Sequence, residues 1–134
     1  MSSALIKTYL VLVPLMITLD LLWLGVVMKD FYQIKLSHLV ASGVVWVPAV
    51  IFYLIFTAAV MLFAVVPGSA SGSLTRTVIL GVVFAFVAYA TYDLTNHATL
   101  RDWPLMVTVV DMAWGAFVGG VLASVGFFAY RFFS

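Results

Sequence analysis

The chain has 134 residues, of which 66% are hydrophobic and 8% are charged, and its mean hydropathy is +1.24. One soluble domain of this length cannot bury so much apolar surface, so we expect the protein to lie in a lipid bilayer. The net charge of +1 gives no basis for nucleic-acid binding. The absence of cysteine excludes disulfides and Cys-ligated metal sites.

Four stretches are long and apolar enough to cross a membrane, which takes about 20 residues per helix. They cover about residues 4–28, 45–66, 75–97 and 104–130. We therefore predict an all-α polytopic membrane protein with a single transmembrane domain, 1–134, folded as a four-transmembrane-helix bundle. The first stretch contains Pro14 and Asp20 and has no small-residue cleavage site, so we interpret it as a retained helix rather than a signal peptide.

The connections between these helices differ in polarity. Lys29–Ser42 mixes apolar and charged residues and predicts a short interfacial or re-entrant segment between helices one and two. Pro67–Ser73 consists of small residues, which predicts a flexible loop, and Ala98–Trp103 is a tight turn. We expect Trp46 and Trp103 to be interfacial anchors.

The topology follows from an even number of spans and from the positions of the charges. Both termini must lie on the same side, with Lys7, Arg76 and Arg131 on that face and an equal number of basic residues on the other. The positive-inside rule is therefore tied, but the terminal face carries no acidic residue. We expect both termini to be cytoplasmic.

Three aspartates interrupt the apolar helices. Asp20 lies shortly before the end of helix one and Asp111 shortly after the start of helix four. At the helical rise, both are roughly 10–12 Å from the same face of the membrane, and Asp93 lies nearer to that face. The sequence therefore predicts that the three carboxyl groups converge in one half of the bundle.

Helical spacing predicts which side chains surround these aspartates. Trp23 shares a face with Asp20, and Trp114 shares a face with Asp111. Asp93 shares a face with Tyr89, Asn96 and His97, and Tyr92 borders that face. The predicted site thus has catalytic or coupling residues Asp20, Asp93 and Asp111, and substrate-binding residues Trp23, Trp114, Tyr89, Tyr92, Asn96 and His97. No metal or cofactor is predicted.

Placing these aspartates in a membrane is costly, at about 2.5–3.5 kcal/mol for one at a helix centre. No lysine or arginine lies deep enough in a helix to pair with them. We therefore expect at least one to be protonated or neutralised by a bound cation. The structural alternative is that they hold helices together by hydrogen bonds.

Small residues on helix four indicate close helix packing. Gly115 and Gly119 form a G-x-x-x-G pattern, which fits contacts within the bundle or a homodimer. The pattern Asp-x-x-Trp occurs in helices one and four, which run in opposite directions, as in the inverted repeats of transporters.

Three functional hypotheses follow. The first is proton-coupled binding or transport of a small cationic or polar substrate by a homodimer, with cation–π contacts from Trp23 and Trp114.

The second is a membrane-embedded acid/base enzyme, isomerase- or hydratase-like, acting on a lipid or isoprenoid. Such an enzyme predicts an apolar cavity that opens sideways to lipid. The third is an accessory subunit of a larger membrane complex. The expected partners are membrane lipids and a small-molecule or lipid substrate.

Several motifs together resemble the domain-of-unknown-function family 2177. They are Leu19–Gly25, Tyr92–Asn96 followed by Ala98–Leu100, Trp103-Pro104, and Asp111 with Trp114-Gly115. The resemblance covers essentially the whole chain, although His97 and Lys29–Ser42 lie outside the pattern. It implies a small bacterial protein of four helices in the cytoplasmic membrane, and it implies no activity.

Overall fold

The computed structural model describes residues 2–134. Throughout this range the regular elements are helical, and four helices are long and apolar enough to span a membrane. These spans are Ser3–Val27, Trp46–Ala70, Leu74–Thr99 and Leu105–Phe133. The predicted all-α membrane protein with four transmembrane helices is confirmed.

The described residues form six α-helices and two π-helical turns, and all of these except the short helix α2 belong to the spans. The first span is α1 (Ser2–Leu22), which continues into a π turn, Trp23–Val27, and it is followed by the short helix α2 (Lys29–Lys35). The second span is α3 (Trp46–Val60), which continues through a second π turn, Met61–Val65, into α4 (Val66–Ala70). The third and fourth spans are α5 (Leu74–Thr99) and α6 (Leu105–Phe133). The short helix α2 occupies the connection in which a short interfacial or re-entrant segment was predicted.

The second span is longer than the sequence indicated. We expected it to end at Val66 and a flexible loop to begin at Pro67, but α4 continues the helix to Ala70. Pro67 has no N–H for the helical hydrogen-bond ladder, and it lies just after the π turn 61–65, where that ladder is already irregular. Gly68 also packs against Thr77 so closely that a Cβ would overlap that side chain. The turn that follows contains Gly72, with a φ of 67° that glycine adopts without strain.

The four spans form a ring. α5 and α6 share the most extensive contact, α6 packs on α1, and α1 packs on α3. The ring closes where the π turn 61–65 packs on α5. α3 has much less contact with α5 than the π turn 61–65 that follows it, so α3 and α5 are further apart towards the end of the bundle where α3 begins.

A seam of small residues joins α5 to α6. A Cβ on Gly81 would lie 2.7 Å from the carbonyl oxygen of Gly119, and a Cβ on Gly119 would overlap Ala85. Gly115 lies against the ring of Tyr89 in the same way. The glycine pattern was predicted to serve contacts within the bundle or a homodimer, and it packs between two helices of one chain. Close packing there requires the absence of side chains.

Candidate functional site

A cavity of about 520 Å³ lies at the end of the bundle where α3 and α5 separate. This volume is within the range of ordinary small-molecule sites. Its lining residues come from every span and from α2: Asp20, Leu24, Tyr32, Leu36, Phe52, Ala88, Tyr89, Tyr92, Trp103, Asp111 and Trp114. Most of these residues are apolar or aromatic, and the carboxyl groups are confined to Asp20 and Asp111.

Asp20 is the buried centre of a hydrogen-bond network that joins three helices. The Tyr53 hydroxyl on α3 donates to Oδ2 of Asp20 over 2.6 Å, and the Trp114 indole N–H on α6 donates to Oδ1 over 3.2 Å. Both carboxyl oxygens of Asp20 therefore have a donor. Such bonds reduce the cost of burying this polar group in the bundle.

Asp111 is held by a side chain from outside the spans. The Tyr32 hydroxyl on α2 donates to Oδ1 of Asp111, and the Trp23 indole N–H donates to the Tyr32 oxygen over 3.0 Å. Burial raises the pKa of Tyr32 well above its ordinary value, and the hydrogen bond to Asp111 adds to this effect. The phenol therefore stays protonated and acts as a hydrogen-bond donor at neutral pH.

Asp93 is fully buried, and neither of its carboxyl oxygens has a hydrogen-bond partner within the described residues. Asp111 on α6 is a neighbouring carboxyl group. Two neighbouring carboxylates repel each other, which favours a state in which one of them carries a proton. Asp93 and Asp111 therefore form a pair of neighbouring carboxyl groups that favours holding one proton.

The two predicted tryptophans form a stacked pair. The rings of Trp23 and Trp114 lie 4.3 Å apart with an angle of 4° between their planes. Each indole turns one face to the other, and each N–H donates within the site, to Tyr32 and Asp20 respectively. The pair therefore connects the Asp20 network to the Tyr32–Asp111 hydrogen bond.

Aromatic side chains border the gap between α3 and α5. Phe52 and Tyr89 face each other across it, with ring centroids 6.5 Å apart. Phe52 and Tyr92 both line the cavity, and both are exposed. The cavity is therefore open beside these two side chains.

Asn96 and His97 do not line the cavity. His97 is exposed, and its Nδ1 lies 3.3 Å from the hydroxyl of Thr108, which accepts a hydrogen bond from the Trp103 indole N–H. Trp103 was expected to be an interfacial anchor, but it is buried and lines the cavity. It folds inwards because Thr108 offers its N–H an acceptor and Tyr92 packs edge-on against its ring.

The structure therefore brings most of the predicted site residues together at one end of the bundle. Asp20, Asp111, Trp114, Tyr89 and Tyr92 line the cavity. Asp93 and Trp23 contact lining residues from behind, as described above. Among the described residues, no group of three or more His, Asp or Glu side chains is positioned to hold a metal ion.

The model of a family described as a predicted membrane protein, DUF2177, matches residues 5–128 of the chain. The protein belongs to this family. No curated protein and no solved structure matches the chain. The family membership agrees with the motifs around Asp20, Asp93 and Asp111, all of which lie inside the matched residues.

Two residues of the site were missed by the sequence reasoning. Tyr53 was not predicted to belong to the site, and it lies among large apolar side chains of the second span. A hydroxyl group on an otherwise apolar stretch of helix could have indicated a polar contact at Tyr53. Nothing in the sequence indicates a contact between Tyr32 and Asp111, since only the folding of α2 over the end of the bundle brings these two residues together.

Proposed function

We propose that this protein is a membrane-embedded acid/base enzyme, isomerase- or hydratase-like, that acts on a lipid or isoprenoid. The observation that carries the proposal is the mainly apolar cavity of about 520 Å³, which opens between α3 and α5 and has carboxyl groups on one wall. An apolar substrate can enter such a site from the bilayer without crossing water.

The carboxyl groups fall into two sets with different surroundings. Asp20 accepts hydrogen bonds from Tyr53 and Trp114, whereas Asp93 and Asp111 lie beside each other and can share a proton. A proton donor and a proton acceptor in one cavity are what general acid/base catalysis requires. We assign the Asp93–Asp111 pair as the acid and Asp20 as the base.

An isomerisation then balances without a co-reactant. The acid pair adds its proton to one carbon of a double bond, and Asp20 removes a proton from the carbon beyond the other end of that bond. The double bond moves by one position, and no oxidant or reductant is consumed. Transfer of the proton from Asp20 back to the pair, relayed by water that reaches the α2 end of the cavity, completes the cycle. The rings of Trp114 and Tyr89 would stabilise positive charge on the intermediate.

The test begins with the molecule that the protein retains. Native mass spectrometry of the detergent-solubilised protein, followed by lipid extraction, should show a monomer with one defined apolar molecule. Incubation of that molecule with the protein in deuterated water should introduce deuterium from the acid pair. Asp111→Asn should abolish the exchange, whereas Asp102→Asn, the same change in an exposed loop, should preserve it. Retention of ordinary phospholipids only, with no exchange, would contradict the proposal.

A second candidate is proton-coupled binding or transport of a small cationic or polar substrate. The observation in its favour is the Asp93–Asp111 pair, since a carboxyl group that gains or loses a proton can exchange it for a cation. Four helices are too few to enclose an alternating pathway, so this function needs a homodimer. It predicts proton release on substrate binding that is lost in Asp20→Asn and Asp111→Asn.

We also propose that the protein lies in the cytoplasmic membrane of a bacterium with both termini in the cytoplasm. The terminal face carries Lys7, Arg76 and Arg131 without an acidic residue, and the resemblance described above supports the location. The chain has no cysteine, so single cysteines introduced at Ser71 and Ser37 report the two faces without background. If an impermeant thiol reagent labels the cysteine at position 71 in intact cells, the termini lie outside the cytoplasm and the proposed orientation is wrong.

A further inference from the structure

The charges around the cavity restrict what it can bind. Its charged lining residues are Asp20 and Asp111, and no lysine, arginine or histidine among the described residues lines it. Asp93, fully buried and without a hydrogen-bond partner, is a third carboxyl group near Asp111. The polar wall therefore has only negative or neutral groups.

The hydrogen-bond donors at this wall are already in use. Tyr53 and Trp114 donate to Asp20, and Tyr32 donates to Asp111. Trp103, on the other side of the cavity, donates to Thr108. Tyr89 and Tyr92 are the remaining phenols of the lining. Two neutral donors do not offset the cost of removing an anion from water and placing it beside two carboxyl groups.

The basic residues at this end of the molecule point elsewhere. Lys29 and Lys35 are exposed on α2, and Arg101 is exposed in the turn between α5 and α6. None of them belongs to the cavity lining. A phosphate or carboxylate inside the cavity would therefore have no counter-charge, whereas a hydroxyl or ammonium group would find acceptors on Asp20 and Asp111.

We propose that the ligand of this cavity is an uncharged or cationic lipid-like molecule, such as an isoprenoid alcohol or amine, and that anionic lipids and prenyl phosphates are excluded. Its polar group lies at Asp20 and Asp111, and its apolar chain extends towards the gap beside Phe52 and Tyr89. This inference names the substrate class of the proposed enzyme and so rests on the proposed function, but binding alone tests it.

The experiment compares three probes that share one chain and differ in the head group: farnesol, farnesylamine and farnesyl monophosphate. Each is added to the purified protein in a non-ionic detergent, and the bound fraction is measured by native mass spectrometry over a range of concentrations. We expect the amine to bind at least about tenfold more tightly than the monophosphate, because like charges at a buried contact are strongly unfavourable. The alcohol should lie between them.

Matched variants link this preference to the carboxyl groups. Asp111→Asn should bring the ratio of amine to monophosphate affinity at least about tenfold closer to one, and Asp20→Asn provides the same test at the other carboxyl group. Asp102→Asn, in the exposed turn, should leave the ratio unchanged. Ala88→Phe places a ring in the cavity and should weaken all three probes, which distinguishes binding inside the cavity from adhesion to the surface.

The outcomes separate this inference from the proposed function. Equal binding of the monophosphate and the amine, or binding that Ala88→Phe does not change, would overturn the inference. If the affinities follow the expected order but the retained molecule shows no deuterium exchange, the inference about the ligand is supported and the proposed enzymatic function is contradicted.

Discussion

The two halves of this bundle are built from the same helices but are held together in different ways. Towards the termini, helices approach closely through small residues, as at Gly81 and Gly119, and at Gly126, where a Cβ would lie 2.5 Å from Val65. Towards α2, large aromatic rings and carboxyl groups keep the helices apart and leave the cavity. Lipid provides little hydrophobic drive between helices, so close packing and hydrogen bonds are the two means available.

This contrast supports assigning the proposed function to the cavity half. At Gly81 and Gly119 the small-residue seam brings two helix backbones into contact without polar side chains. The cavity half keeps three aspartates in a bilayer, which is costly, and one of them, Asp93, has no neutral donor. Groups that are poorly satisfied and lie next to a cavity are typical of sites selected for activity rather than stability.

The largest expected effect tests the packed half. Gly119→Ala places a methyl group against the Gly81 backbone and Ala85, neither of which can move without separating α5 from α6. We expect a loss of about 2–3 kcal/mol in the free energy of unfolding, measured by reversible unfolding in mixed detergent micelles. Gly120→Ala is the control, because its Cβ meets only the end of the Val82 side chain, at 3.1 Å. Equal losses in both variants would show that the seam is not a close helix contact.

A change of opposite sign is expected in the cavity half. Asp93→Asn replaces a buried carboxyl group that has no hydrogen-bond partner with a neutral amide, which removes its charge repulsion with Asp111. We expect the free energy of unfolding to rise by about 1 kcal/mol while the acid function is lost. Unfolding and deuterium exchange measured on the same preparation check both parts. A destabilised variant that retains full exchange would contradict the assignment of the acid pair.

The smallest expected effect concerns α2. Tyr32→Phe removes the hydrogen bond to Asp111 and should lower stability by about 0.5–1 kcal/mol at neutral pH. The pKa of Tyr32 is higher in the folded protein than its ordinary value of 10.0, so the folded state holds this proton more tightly. This contribution is complete below pH 10 and is lost as the pH rises above it, because the unfolded phenol ionises first.

Thermal unfolding between pH 7 and pH 11 measures this difference. The wild-type protein should lose more stability above pH 10 than Tyr32→Phe does. Tyr130→Phe is the control, since Tyr130 lies at the opposite end of α6 and its phenol makes no hydrogen bond within residues 2–134. Parallel pH curves for wild type and Tyr32→Phe would show that the phenol is not buried against Asp111.

The sequence alone determined the class of the protein and the depth of its polar groups. Four apolar stretches of membrane-spanning length admit few structures other than a helical bundle, since every backbone polar group must find a partner within its own helix. The alternating direction of the helices then places Asp20, Asp93 and Asp111 in one half, whatever the order in which the helices pack. These features depend on length, hydropathy and helical rise, which are local properties.

The tertiary structure decided which groups meet. The order of helices around the ring places Tyr53 on Asp20, and the fold of α2 over the end of the bundle places Tyr32 on Asp111. It also assigned Gly115 and Gly119 to the α5–α6 seam and turned Trp103 inwards, while leaving Asn96 and His97 outside the cavity. Helical spacing fixes neighbours along one helix, but contacts between helices depend on rotation and on the close approach that small residues permit, and neither can be read from a single helix.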